Sequence, residues 1–170
     1  VLNFGDSAEI PTTVSISSAD DVDLSGALIT TNDGVAASAG TDGTGSVYGD
    51  IGTVLIAGSS NSTLSIAAGS TLGDISIPDV TLTADDSLML SSPGGEIEHK
   101  GSLVTATNLN ITAANAVTVN SSVESVSATL TGSGDLNIVN DRSLLLPTAT
   151  NAEGAISVST YGNLSATHLA

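Results

Sequence analysis

The chain has 170 residues, with 18 acidic side chains against only two basic ones and a formal net charge of −16. Two cations cannot form a basic patch, so the charge excludes nucleic-acid binding and disfavours attraction to anionic lipid. Cysteine is absent, which excludes disulfides, thiolate metal sites and cysteine nucleophiles.

The apolar residues are aliphatic and small. Of 68 hydrophobic residues, 44 are Val, Leu or Ile and 20 are Ala, whereas the only aromatic residues are Phe4, Tyr48 and Tyr161. This composition predicts thin aliphatic layers rather than a core built around large rings. Ser, Thr, Gly and Asn are abundant and strong helix formers are few, so the composition favours β-structure.

Taken in chain order, five segments share one frame of alternating residues. Each has apolar residues at positions 1, 3, 9 and 11, with a five-residue turn between the two pairs; the segments are 14–24, 80–90, 109–119, 136–146 and 156–166. A period of two in the apolar residues indicates short strands with one buried face and one solvent-exposed face. The three clearest copies begin at 80, 109 and 136, which predicts coils of about 27 residues whose Leu82, Ile111 and Ile138 stack in one file.

Further short strands fit between and before these copies. Candidates for a third strand in each coil are Ile97 or 103–105, then 126–130 and 156–158, while 54–56, 64–66 and 75–77 supply an earlier coil. We therefore predict an all-β fold: a single domain over 1–170 that is a right-handed parallel β-solenoid, with three short strands per coil and five to six coils. Residues 31–45 break the rhythm and are rich in Gly, Ala and Asp, so we expect a protruding loop there.

An adhesin-type β-sandwich is the alternative architecture. Its strands are usually longer and its core usually holds an aromatic residue or two, whereas the strands here have only two or three inward residues. The last segment, 164–170, begins a strand pattern and stops, so we expect a fragment or processed subunit of a longer assembly. Bare strand edges at its ends are expected to pair with neighbouring coils or with identical subunits stacked end to end.

Three stretches resemble the shaft repeats of filamentous haemagglutinin-like large exoproteins. They are SLVTATNLNITAANAVTVNSS (102–122), LTGSGDLNIVND (130–141) and GAISVSTYGNLSATHLA (154–170), and the resemblance rests on runs of the types GxLxIxN and GxIxVxTxGxL. The resemblance is compositional and covers about residues 80–170. It implies a secreted, bacterial cell-surface β-helix with a role in adhesion or biofilm matrix, and possible contact with host or matrix glycans. The asparagine motifs of that family's amino-terminal secretion domain are not found, so the resemblance implies shaft.

Acidic turns are the candidate metal ligands. Asp20 and Asp21, and Asp85 and Asp86, fall at equivalent places of the frame, and Asp141 lies near the same corner in another coil. Stacked carboxylates could offer oxygen ligands to Ca²⁺. The alternative explanation is that Asp favours turns because its side chain bonds the local backbone. Neither an EF-hand loop nor the Gly-rich repeat of calcium-binding β-rolls is present.

The sequence predicts no enzyme. The cluster that mixes acids and bases is Glu96–Lys100, and with Ile97 inward it is interpreted as a solvated charged strand; no second acidic pair is identifiable beside it. The favoured function is a structural or adhesive extracellular module. A self-assembling filament subunit and a carbohydrate-binding or carbohydrate-processing β-helix remain open alternatives. A Thr-x-Thr ice-binding face is more remote, because those pairs do not recur on one face at a constant period.

Overall fold

The fold is a stack of parallel strands wound into coils. The computed structural model describes residues 13–170, which contain sixteen β-strands and no helix. All strand pairs in this range are parallel, and together they form a β-solenoid of about seven turns. The described residues accordingly contain no helix long and apolar enough to span a membrane. The prediction of an all-β parallel solenoid is confirmed.

Three files of strands run along the stack, here called faces 1, 2 and 3 in the order in which each coil visits them. Face 1 holds β1 (Thr13–Ser17), β4 (Gly34–Ser38), β7 (Thr63–Ala67), β10 (Ser87–Ser92) and the last parts of β11 (Ile97–Ala113), β12 (Val117–Leu130) and β14 (Leu144–Asn151). Face 2 holds β2 (Val22–Asp23), β5 (Val47–Tyr48), β8 (Ile75–Ser76), the first parts of β11 and β12, β13 (Leu136–Asn140) and β15 (Ile156–Thr160). Face 3 holds β3 (Leu28–Thr31), β6 (Val54–Ala57), β9 (Thr81–Ala84), the middle of β11 and β12, the start of β14, and β16 (Leu164–Ala166).

The core is a column of aliphatic side chains. Inward residues of successive strands meet at paired positions, as in the file Val35, Leu64, Leu88 and Leu109, all of which are buried. The two aromatic residues in the described part, Tyr48 and Tyr161, lie outside the core and are exposed, while Phe4 lies outside the described residues. A core of aliphatic side chains without Phe, Tyr or Trp is therefore confirmed for residues 13–170.

The frame of alternating residues is confirmed, but the stacking of its copies is not. Each copy is a strand, a corner and a second strand: 80–90 occupies faces 3 and 1, 109–119 faces 1 and 2, and 136–146 faces 2 and 3. Leu82 consequently pairs with Val104, Ile111 with Leu90 and Ala128, and Ile138 with Val119 and Val158. The prediction that Leu82, Ile111 and Ile138 form one file is wrong, because all three faces use the same alternation.

Coil length varies, and most coils are shorter than predicted. Paired residues lie 21 positions apart for Val14 and Val35, 29 for Val35 and Leu64, and 17 for Leu109 and Val126. The offsets of 29 and 27 residues between the frame copies span four strands, whereas one coil has three. Each coil is therefore shorter than these offsets, and the described residues form about seven coils rather than five to six. The predicted loop over 31–45 includes β4, which pairs with β1 and β7. Residues 32–33 before β4 and the residues after it form corners.

Candidate functional site

The corner between faces 1 and 2 carries a ladder of side chains that bind the backbone of the next coil. A carboxylate oxygen of Asp21 accepts the N–H of Ser46 at 2.8 Å, and the Ser46 hydroxyl accepts the N–H of Asp74 at 3.0 Å. An oxygen of Asp74 then accepts the N–H of Glu96 at 2.9 Å. Without these side chains, the backbone N–H groups at the corner would bind only water. Each of these hydrogen bonds therefore joins one coil to the next.

Glycines precede these rungs because neighbouring coils approach too closely for a side chain. A Cβ on Gly73 would collide with the carbonyl oxygen of Gly45, and one on Gly95 would collide with that of Gly73. Gly45 also has a φ of 150°, which L side chains rarely adopt. The result is a shallow groove along this corner, bordered by Asp20, Asp21 and Asp74.

The five carboxylates predicted as calcium ligands do not share a corner. Asp20 and Asp21 lie between faces 1 and 2, Asp85 and Asp86 between faces 3 and 1, and Asp141 between faces 2 and 3. The prediction that they occupy equivalent places is therefore wrong, for the same reason that the frame copies do not stack. Among residues 13–170, no three His, Cys, Asp or Glu side chains are grouped so that they could hold a metal ion.

Several of these acidic residues instead bind the protein itself. Asp21 accepts a backbone N–H, as described above, and an oxygen of Asp86 accepts the side-chain amide of Asn108 at 3.3 Å. Asp85 contributes its carbonyl oxygen to the hydroxyl of Thr107 at 2.8 Å. These contacts join neighbouring coils, so they differ from the local backbone bonding expected of Asp in turns.

His99 is buried inside the column, which differs from the prediction of a solvated charged strand. Ile97 faces inward as predicted, and His99, two positions later, is also fully buried and pairs with Val119. Its Nε2 lies 2.8 Å from the carbonyl oxygen of Val80, while Nδ1 has no hydrogen-bond partner among the described residues. Burial lowers the pKa of His99 below its ordinary value of 6.5, so the ring is neutral at pH 7.

The rest of that cluster is solvated. Lys100 and Glu98 point outward and form an ion pair of 2.7 Å, with their side chains 57% and 40% exposed. Exposed pairs of this kind contribute little to stability. The cluster therefore contains one structural histidine and one surface ion pair, an arrangement without a positioned acid and base.

At the corner between faces 2 and 3, where strand pairing is interrupted, the side chains of Asn140 and Arg142 bind backbone groups that would otherwise lack a partner. The Asn140 side chain is fully buried, and its amide both accepts the N–H of Val123 at 3.0 Å and donates to the carbonyl of Val123 at 3.1 Å. The Arg142 guanidinium reaches back across two coils and donates to the carbonyls of Ser122 at 2.6 Å and Ala106 at 3.1 Å. One of the two cations of the chain is thus used for internal backbone pairing.

The inward residues of the final described coil, formed by β15 and β16, are more exposed than those of the coil before it. The residues Ile156, Val158, Leu164, Ala166 and Leu169 pair with buried inward residues of the preceding coil and so face the axis of the column. Leu164 is nevertheless 46% exposed, compared with 2% for its partner Leu144. We call these five residues the terminal end face.

Comparison with known proteins adds no relative: no family model, no curated protein and no solved structure matches the chain.

Proposed function

We propose that the chain is a non-catalytic structural module, part of the shaft of an extracellular surface fibre or biofilm matrix. One observation carries this proposal: a single aliphatic column runs through the described coils, with Val14 buried in the first and Ala149 in the last but one. Solenoids of this kind become longer when coils are added, so the fold is suited to building long shafts. The resemblance of residues 80–170 to shaft repeats of large exoproteins supports the extracellular assignment.

The column is suited to stiffness because its coils are joined in two independent ways. Parallel strand pairing and the stacked core act on all three faces, while the ladder at the corner between faces 1 and 2 joins Asp21, Ser46, Asp74 and Glu96. With about seven turns at roughly 4.8 Å each, the described part makes a rod of roughly 30 Å. A longer shaft would be obtained by repeating the unit.

The proposed winding is right-handed. Each coil returns to the same face through a crossover between parallel strands, and such crossovers are right-handed in nearly all sheets because of the twist of L-residue strands. Three short strands in each coil, as in the files of faces 1, 2 and 3, complete this proposal. The numerous carboxylates on the outside would keep a long apolar column soluble.

Immunogold electron microscopy tests the proposal. Antibodies raised against the purified chain should label filaments or matrix around intact producing cells, while antibodies against a cytoplasmic protein should label only after lysis. Labelling of the chain that also requires lysis would contradict the extracellular assignment. Release of reducing sugar ends from matrix polysaccharide by the purified chain would contradict the non-catalytic assignment.

A self-assembling filament subunit is the second candidate function. The parallel pairing of successive coils favours it, because a coil of another chain can supply the same strands and aliphatic side chains as a coil of this chain. In this case the shaft would consist of many short chains rather than one long chain.

A further inference from the structure

His99 occupies an inward position in an aliphatic file of face 2. Val119 of the following coil pairs with it, and Ile77 holds the corresponding position in the preceding coil; both are fully buried. A neutral ring fits this file, because Nε2–H donates to the carbonyl of Val80 and Nδ1 carries only a lone pair. Protonation adds an N–H at Nδ1, which has no hydrogen-bond partner among the described residues. The closed site therefore accommodates the neutral ring and not the charged one.

Residues 100–103 form a bulge that leaves the strand ladder directly after His99. Regular pairing with β12 resumes only at Val104, opposite Ser121, so these four residues lie opposite a single residue of β12. Three of the four are exposed and the other is half-buried. A bulge with extra residues and little burial can move while the strands on either side of it stay paired.

The bulge and the ring of His99 are anchored to the same short corner, residues 78–80. The first two N–H groups of the bulge donate to the carbonyl of Pro78 at 3.0 and 2.9 Å. The hydroxyl of Ser102 donates to the carbonyl of Val80 at 2.6 Å, and this is the carbonyl that Nε2 of His99 binds at 2.8 Å. Departure of the ring from this corner therefore removes one of the few contacts that hold the bulge in place.

Few charged groups face the ring. Burial lowers the pKa of His99, whereas nearby backbone carbonyls and the carboxylate of Asp79 favour the protonated ring and only partly offset this effect. Its charged neighbours in the chain, Glu98 and Lys100, point outward and pair with each other. Strands β8 and β9 carry no charged residue, and the only one in β12, Glu124, is exposed. No carboxylate among these elements is placed to hold an imidazolium inside the column.

We propose that residues 99–103 form an acid-responsive hinge, in which protonation of His99 releases its ring and the bulge from the corner at 78–80 while the three files of strands stay paired. The proton comes from solvent and is held on Nδ1, where water serves as the acceptor once the ring has turned outward. This inference goes beyond the proposed function, because it concerns the column itself and holds whether or not the chain is a shaft.

The size of the effect follows from the linkage between opening and protonation. The closed state binds fewer protons than the open state, so opening becomes more favourable as pH falls. With the ordinary value of 6.5 for the pKa of the open ring, and no proton on the closed one, the open population rises by up to about 25-fold between pH 7 and pH 5.

Hydrogen exchange followed by mass spectrometry measures this population at the two pH values. After correction for the intrinsic effect of pH on exchange, the amides of 99–103 should lose protection by up to about 25-fold at pH 5. The internal control is 138–146, which contains the same corner two coils later with Asn140, a buried polar side chain that does not titrate. Unchanged protection of 99–103 would overturn the inference, and so would an equal loss over both segments, because that result would show unfolding of the whole column.

Two substitutions separate the ring from other effects of acid. His99→Gln keeps a side-chain donor but cannot take up the proton, and His99→Val matches the residue with which His99 pairs. Both variants should abolish the loss of protection between pH 7 and pH 5, and circular dichroism during thermal unfolding verifies that each one folds. A loss as large as that of the wild type in either folded variant would assign the response to another group and overturn the hinge. None of these results depends on where immunogold labelling places the chain, so the proposed function is tested separately.

Discussion

The side-chain amide of Asn140 stands in for a neighbouring strand, and Asn140→Asp tests this directly. Its oxygen accepts from Val123 N at 3.0 Å and from the Ser121 hydroxyl at 2.9 Å, while its nitrogen donates to the carbonyls of Val123 at 3.1 Å and Arg142 at 2.8 Å. A carboxylate has the same shape but no donor. In its ionised form the new side chain would place a negatively charged oxygen against two carbonyl oxygens inside a fully buried site, which opposes ionisation.

The expected cost depends on pH. Because burial opposes ionisation, the introduced carboxyl should remain protonated in the folded state, which costs about 4 kcal/mol at pH 7 for a group whose unfolded pKa is about 3.9. One carbonyl also loses its donor, which adds about 1 kcal/mol. We expect the free energy of unfolding to fall by about 5 kcal/mol at pH 7 and by about 1–2 kcal/mol at pH 4. The sign follows because the folded variant binds more protons than the unfolded chain between these values, so its stability decreases as pH rises.

Urea unfolding at both pH values, followed by circular dichroism, measures these losses. Asn137→Asp is the control, because it makes the same chemical change on β13 at an outward position. Comparison of each variant with wild type at the same pH removes the contribution of the native carboxylates. An equal loss for both variants, or a loss at Asn140 that does not shrink at pH 4, would refute the strand-mimic interpretation.

Three further outcomes are expected. Below pH 6.5 the unfolded chain binds a proton that buried His99 resists, so wild type should lose stability as pH falls from 7 to 5. His99→Gln should reduce this loss in thermal melts. Gly73→Ala should lower the free energy of unfolding by about 1–3 kcal/mol or more, because its Cβ meets the backbone of Gly45. Gly58→Ala, whose Cβ has no contact closer than 3.8 Å, should be tolerated, and equal stabilities of the two variants in urea would contradict the close approach. Calcium should leave the thermal midpoint unchanged relative to chelator, since the candidate carboxylates lie at three corners; a clear rise would restore a calcium site.

The strands could be predicted from the sequence, but their neighbours could not. Alternation of apolar and polar residues depends only on one face being buried, so it identified the inward Leu82, Ile111 and Ile138 correctly. Which residues stack depends on corner length, and corners vary because they lie outside the core. Since each face carries the same alternation, no sequence pattern distinguishes a strand of face 1 from one of face 2.

The buried polar residues were missed although the alternation contains the signal. His99 follows Ile97 by two positions and Asn140 follows Ile138 by two, which places both inward. Their polarity indicates an outer position when each strand is considered alone. Their hydrogen-bond partners, Val80 and Val123, belong to the preceding coil. The hydrogen bonds that offset the cost of burying these polar side chains can therefore be identified only once the register between coils is known.

The corner ladder also gives the rod a direction. At every rung the accepting side chain belongs to the earlier coil and the N–H to the later one, as in Asp21 with Ser46 and in Asp135 with Ala155. The column is consequently polar along its axis, although Ala155 in the final coil has no side-chain acceptor and so supplies no further rung. A fibre that continues such columns in one direction keeps this polarity, so its two tips can grow at different rates.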